Sequence, residues 1–240
     1  MSRHQLTARA VGALFLVSYL GFAVGAALMA PARDPETLRE ALADDQTRIV
    51  IGALGEFAND VAVVGIAVLL FPLLKSAGEG LALWYVGLRV FEGTMFMLAS
   101  AAAVAIPAIA KSPAVGDGET AAFEAARQVA IGLNDGADLL ATAAFVVGAL
   151  LLYTLLYRSR IVPRFIALWG FAAVALLVVV NIVDPDLTSP PAFVAVLVGP
   201  IVLNELFLAG WLLVKGVRVP AAEPLASAHL IAMGRKSDEH

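Results

Sequence analysis

The stretch AFVAVLVGPIVLNELFLAGWLLVKG, residues 192–216, is an apolar run long enough to cross a bilayer, and five others precede it. About 20 predominantly apolar residues cross a hydrocarbon core about 30 Å thick. On that ruler the spans are expected at 9–30, 50–75, 81–110, 127–157, 162–183 and 192–216. A bacterial outer-membrane barrel would show segments of roughly ten residues that alternate between apolar and polar. These runs are instead continuous and rich in Ala, Leu and Val. The expected class is therefore all-α: a polytopic membrane protein built as a single bundle of six transmembrane helices over 1–217, with a cytoplasmic C-terminal tail over 218–240.

Composition agrees. Hydrophobic residues make up 60% of the chain and charged residues 15%, against about 45–50% and about 25% in soluble domains. The connections "APARDPE", "KSAGEG", "KSPAVGDGE", "RSRIVP" and "DPDLTSPP" carry helix breakers and are too short for a second domain. The charged segment from Pro31 to Arg48 is expected to form a short amphipathic surface helix. "MSRHQLTARA" is a basic leader, but the apolar stretch after it runs about 20 residues, longer than the 7–15 of a signal-peptide core. It is expected to remain as the first span. Gly21 and Gly25 in that span form a GxxxG pair, a spacing that lets another helix approach closely and is also frequent by chance in glycine-rich helices.

Several chemistries are excluded. With no cysteine there is no disulfide, thiolate metal site or cysteine nucleophile. The three histidines, His4, His229 and His240, lie in the terminal segments, which rules out a bis-histidine haem or a histidine cluster in the membrane. All four lysines sit at span ends or in connections, so a buried Schiff base is excluded. No cofactor is implied. No basic patch interleaved with aromatic residues points to nucleic acid.

Orientation follows from Lys and Arg. With the N-terminus inside, the inner segments hold ten of the 16 basic residues and the outer segments five; the remaining one is Arg89, inside the third span. Both termini are expected in the cytoplasm of a bacterial plasma membrane. Trp84, Tyr153 and Tyr157 are expected in the inner interfacial belt.

Ionisable residues stand inside four spans: Glu56 and Asp60, Arg89 and Glu92, Asp135 and Asp138, and Glu205, accompanied by Asn59, Asn134 and Asn204. At about 1.5 Å per residue, Glu205 lies roughly 15 Å from the level of Lys215, and Arg89 and Glu92 fall at about 13 and 18 Å. Those three are near the bilayer midplane. Asp60, Glu56 and Asp138 come out shallower, toward the outer surface. Within each helix the polar residues share a face: about 100° of arc holds Glu56, Asn59 and Asp60, and about 60° separates Arg89 from Glu92 and Asp135 from Asp138. A charge at the helix centre costs roughly 2.5–3.5 kcal/mol on the insertion scale, so Arg89, Glu92 and Glu205 are expected to face inward. One role for them is an ion pair between Arg89 and Glu92 or Glu205 that locks two helices. The other is a funnel of carboxylates that draws a proton or small cation inward. Pro200, one turn before Asn204, removes a helix hydrogen bond beside the site. "FAND" (57–60) and "GLND" (132–135) echo one another, but two matched residues are too few to make an internal repeat.

"GLRVFEGTMFMLAS", "YTLLYRSRIVPRFIALWG" and "NELFLAGWLLVKGV" resemble a bacterial family of small polytopic membrane proteins, domain of unknown function 4386. The resemblance runs from the first span to Val217. It implies an Arg and a Glu in the third span and a Glu ahead of "WLLVKG", which correspond to Arg89, Glu92 and Glu205. "LNDGADLL" departs from the His-Asp stretch common at that place in the family, so a histidine-dependent role does not carry over. The resemblance implies six helices and this choice of residues, and no activity.

The expected site therefore comprises Glu56, Asp60, Arg89, Glu92, Asn134, Asp135, Asp138, Asn204 and Glu205, as ligand, proton or cation contacts. A proton- or cation-coupled transporter is the leading expectation. The alternatives are a membrane-embedded enzyme acting on a lipid or isoprenoid, and a regulatory or structural membrane partner. Transport implies a cavity reaching Glu205, an enzyme a lateral opening with two carboxylates about 5 Å apart, and a packing role closed and fully paired charges. The orientation is directly testable in a chain without cysteine of its own. Leu187→Cys should react with an impermeant thiol reagent added outside the cell; labelling only from the cytoplasmic side would reverse the topology.

Overall fold

The structure, a computed structural model, describes residues 2–33, 46–110, 121–183 and 190–218. Among the described residues the chain forms six long helices: α1 (Arg3–Arg33), α2 (Gln46–Leu74), α3 (Glu79–Ala110), α4 (Ala121–Ser159), α5 (Arg164–Val183) and α6 (Pro191–Val214). Each is long and apolar enough to cross a membrane, and they coincide with the six expected spans. The expected surface helix after Pro31 and the terminal tail fall largely on 34–45 and 219–240, outside the described residues. The helix ends follow local chemistry. Pro72 is followed within one turn by the end of α2 and a 3₁₀ turn, Lys75–Ala77. Gly216, with φ +68°, turns the chain out of α6 through a left-handed conformation that costs glycine little.

Each helix packs against its sequence neighbours, and α6 returns to α1, so the six close into a ring. Short connections enforce that order for α2–α3 and α4–α5. The closure is close-packed: a Cβ at Gly12 would lie 2.8 Å from the backbone oxygen of Ala209 on α6. At the same end, Gln5 Nε2 donates to the Val217 carbonyl at 2.9 Å, and the Arg218 N–H donates to the Ile161 carbonyl at 2.8 Å. The start of α1, the α4–α5 connection and the end of α6 are thus tied together. This end carries Arg3, Arg9, Lys75, Arg158, Arg160, Arg164, Lys215 and Arg218, the excess on which the orientation rests.

Packing differs along the axis. The main apolar core, from Ala8 and Val11 through Leu70, Leu74, Tyr85, Leu152, Leu156 and Ile166 to Leu212, fills the basic end and continues along α5 as far as Val180. A smaller cluster, Met29, Ile49 and Ala103, lies toward the other end. The polar residues occupy the levels between. Side chains such as Leu20, Ile182 and Val214 are largely exposed on the outside of the ring, where a bilayer supplies the apolar surroundings that water would not.

Two details differ from expectation. Tyr153 is not in an interfacial belt: it is fully buried, edge-on to Phe171 and flat against Gly170, where the absent Cβ makes room for its ring. Trp84 and Tyr157 remain at the surface, Tyr157 beneath the Arg164 guanidinium at 4.6 Å. The GxxxG pair has a larger part than its chance frequency implied. A Cβ on Gly21 would sit 2.6 Å from the Gly55 oxygen, and one on Gly55 would sit 3.0 Å from the Gly21 oxygen. Backbone therefore meets backbone between α1 and α2, which places the polar stripe of α2 at a fixed distance from α1.

Gly21→Ala should consequently lower the melting temperature in detergent, because the methyl group meets backbone that cannot rotate aside; such overpacking costs roughly 1–3 kcal/mol. Gly87, around whose missing Cβ the space is open, is the control, and Gly87→Ala should melt no lower than the parent. Equal melting of the two variants would remove the α1–α2 backbone contact as the determinant of this geometry.

Candidate functional site

The centre of the ring is organised by Arg89. Its Nη1 donates to both carboxylate oxygens of Glu92, one helical turn on, at 2.9 and 3.0 Å. Its Nη2 lies 3.9 Å from Glu205 Oε1 on α6. The guanidinium carbon is 4.9 Å from the Phe145 ring centroid and 5.5 Å from that of Tyr85. All three charged groups are buried, with exposures of 4% for Arg89, 2% for Glu92 and 6% for Glu205. Glu205 Oε2 accepts a hydrogen bond from the Tyr19 hydroxyl at 2.8 Å. Its Oε1 accepts none among the described residues and has only the long approach to Arg89. Glu92 is thus the close partner, while Glu205 is held by a tyrosine and shares the cation at a distance. Two carboxylates stand against one guanidinium.

Beside this cluster lies a cavity of about 230 Å³ to which all six helices contribute. Tyr19, Arg89, Glu92 and Glu205 form its charged wall, with Ser18, Asn59 and Thr142 nearby. Phenylalanine and aliphatic side chains make most of the remainder.

A second cavity of about 240 Å³ is lined by Glu56, Asp60, Asn134 and Asp138 together with Ser100. Phe22, Asn59 and Phe96 line both cavities, so the two adjoin across these three side chains. Along every helix that lines both, the residues found only in the second cavity lie farther from the basic end than those found only in the first. Glu56 accepts a hydrogen bond from the Ser100 hydroxyl, and Asn134 Nδ2 donates to the Ala99 carbonyl at 2.9 Å. Asn59 links the levels: its Oδ1 accepts from the Ser18 hydroxyl at 2.5 Å and its Nδ2 donates to Asp60 Oδ1 at 3.2 Å. Asp60 is 1% exposed, and its Oδ2 accepts no hydrogen bond among the described residues.

Of the nine residues singled out in the sequence, Arg89, Glu92 and Glu205 meet at the inner cavity and Glu56, Asp60, Asn134 and Asp138 at the outer one. Two stand apart. Asp135 is exposed and lines neither cavity. Asn204 is fully buried but donates sideways to the Ile166 carbonyl of α5 at 2.9 Å, which makes it a tie between α5 and α6. Asp135 differs from Asp138 because a shared polar stripe still spans about 60° of helix surface, enough to separate the edge of a cavity from its outside.

Tyr19, Ser18, Ser100 and Thr142 were not singled out from the sequence. A signal for Tyr19 existed in depth matching: it stands ten residues after Arg9, as Glu205 stands ten residues before Lys215. Ser100 and Thr142 gave no such signal, because hydroxyls in membrane helices commonly bond to their own backbone, as Thr94 does to the Val90 carbonyl and Thr154 to Leu150.

Residues 10–216 match the family described as Domain of unknown function (DUF4386). The chain belongs to this family. The matched region spans all six helices and both cavities, as the resemblance of its third, fourth and sixth spans implied. No curated protein and no solved structure matches the chain.

Removing one member of a buried charge pair strands the other, at a cost of roughly 3–5 kcal/mol. Arg89→Ala should therefore melt well below the parent, and Arg89→Ala with Glu92→Gln should recover a substantial part of the loss. Arg89→Ala with Glu205→Gln should recover less, as the longer separation requires. Recovery in the opposite order would make Glu205 the principal partner.

Proposed function

We propose that this DUF4386 protein is a carrier of the bacterial plasma membrane in which a proton or a small cation engages the Glu92–Glu205 carboxylates beside Arg89. The observation that supports this most directly is a cavity at the centre of the ring whose wall includes Arg89, Glu92 and Glu205, two carboxylates against one guanidinium. Charges that served only to pair helices would need no such space beside them. The charge balance supports it as well: Arg89 stays protonated throughout the accessible pH range, so with both carboxylates ionised the inner cluster carries one negative charge in excess. A proton or a monovalent cation neutralises that excess.

The packing gradient supports a direction of access. The basic end, which the positive-inside rule assigns to the cytoplasm, is filled with apolar side chains, while the acidic cavity adjoins the inner one on the other side. In this reading the conformation is the one loaded from outside. The outer carboxylates raise the local concentration of cations, and the boundary at Phe22, Asn59 and Phe96 is crossed next. Release inward requires the apolar end to open, the rocking motion by which carriers expose one site alternately to each face.

Glu205→Gln preserves shape and the capacity to accept from Tyr19 while removing titration. A group whose proton affinity changes between the folded and unfolded states makes stability depend on pH. The parent's melting temperature in detergent should therefore change between about pH 5 and about pH 8, and Glu205→Gln should flatten part of that change without melting lower throughout. The other groups around Glu205, namely Tyr19, Arg89, Glu92, Tyr85 and Tyr153, are retained in both proteins and set the residual slope. A variant that melts lower at every pH with an unchanged profile would leave Glu205 as half of a structural ion pair and defeat the carrier reading.

A further inference from the structure

We infer that the inner cavity binds a small organic monocation, an ammonium group carried on a compact apolar body, with the charged nitrogen at Glu205 and the apolar part among the phenylalanines. This rests on the carrier reading and names the class of solute it would move. A bare metal ion is the poorer fit. Small hard cations are held by six or more oxygens, and among the described residues no three acidic or histidine side chains are grouped to hold a metal. The inner cavity instead places the Glu205 carboxylate, which Arg89 approaches only at 3.9 Å, on a wall that is otherwise largely apolar, with Phe15, Phe22, Phe96 and Phe145 among its lining residues. Aromatic rings recognise weakly hydrated organic cations by their face, and apolar walls solvate the substituents that a hydrated sodium ion lacks.

The protein already contains an internal example of this recognition. The Arg89 guanidinium sits 4.9 Å from the Phe145 centroid and 5.5 Å from that of Tyr85. A delocalised cation in the cavity wall is thus stabilised by rings and a carboxylate together, and of the two rings Phe145 also lines the cavity. An anionic solute is disfavoured, because Arg89 is already bonded to Glu92 and a second carboxylate, Glu205, stands beside it. Size is bounded too. At about 230 Å³ the cavity lies below the roughly 300–1,000 Å³ of sites for drug-sized ligands, which selects a compact ammonium over an extended one.

The test measures equilibrium binding to the full-length protein in detergent by calorimetry. The probes are benzyltrimethylammonium, its uncharged carbon isostere neopentylbenzene, and benzenesulfonate. Saturable binding of the ammonium is expected, weakened roughly tenfold or more by Glu205→Gln. Phe96→Leu, which keeps an apolar wall and removes the ring, should weaken the ammonium and leave the isostere unaffected; this second variant keeps the test decisive if Glu205→Gln fails to fold. Equal affinity for ammonium and isostere, or preference for the sulfonate, would overturn the inference about charge. Binding of no probe, with the pH dependence of melting still lost in Glu205→Gln, would overturn the ligand class and leave a proton-binding carrier standing. Binding of no probe with that pH dependence intact in Glu205→Gln would overturn both.

Discussion

A guanidinium at mid-depth in a six-helix bundle dictates much of what surrounds it. Exposed to hydrocarbon at a helix centre, Arg89 would cost roughly 2.5–3.5 kcal/mol, and it cannot shed its proton to escape. It must therefore be enclosed, and the enclosure comes from three other helices: Glu205 of α6, Phe145 of α4 and, through Glu205, Tyr19 of α1. Glu92 on its own helix supplies the close anion. The interior arrangement is thus built around a charge that is fixed, and what remains variable is the state of the two carboxylates that share it.

The α1–α2 contact serves the same end by a different force. Between lipid-embedded helices, close packing replaces the hydrophobic effect as the attraction. Gly21 and Gly25 on one helix and Gly52 and Gly55 on the other bring the two backbones together. That approach sets Ser18 within bonding distance of Asn59, and Asn59 in turn orients Asp60. The polar side of α2 is consequently held by hydrogen bonds on one flank and left facing two cavities on the other. Dense glycine packing and open space are adjacent features of the same pair of helices.

What could be read from the sequence follows from the strength of each signal. Span length and number are set by the thickness of hydrocarbon, a constraint acting on about 20 residues at once, and the six spans agree to within several residues at their ends. The inward position of Arg89, Glu92 and Glu205 follows from the cost of the alternative. Which carboxylate takes the close position does not follow, because the spacing of Glu92 within one helix competes with a neighbour whose rotation about its own axis the sequence does not specify. The same missing rotation explains Asn204 and Asp135. Tyr153 was misplaced for a related reason: distance along the helix gives depth, while the ring's burial depends on Gly170 of another helix.

The cavities weigh on whether the buried charges are architecture. Protein interiors are close-packed, and a cavity of about 230 Å³ leaves the side chains that line it short of packing partners. A buried ion pair gives little net stability to set against this, since apolar residues of similar volume often serve as well. For helix packing alone, this combination is an expensive solution: three buried charged groups, a glutamate oxygen without a hydrogen bond among the described residues, and space beside the cluster that a larger side chain at Thr142 or Val63 would fill. The cost becomes intelligible when the space has an occupant. In the proposed reading, binding recovers the contacts that the walls lack and sets a positive charge beside Glu205, so that the features that weaken the empty bundle would give it selective affinity for a cation that fits.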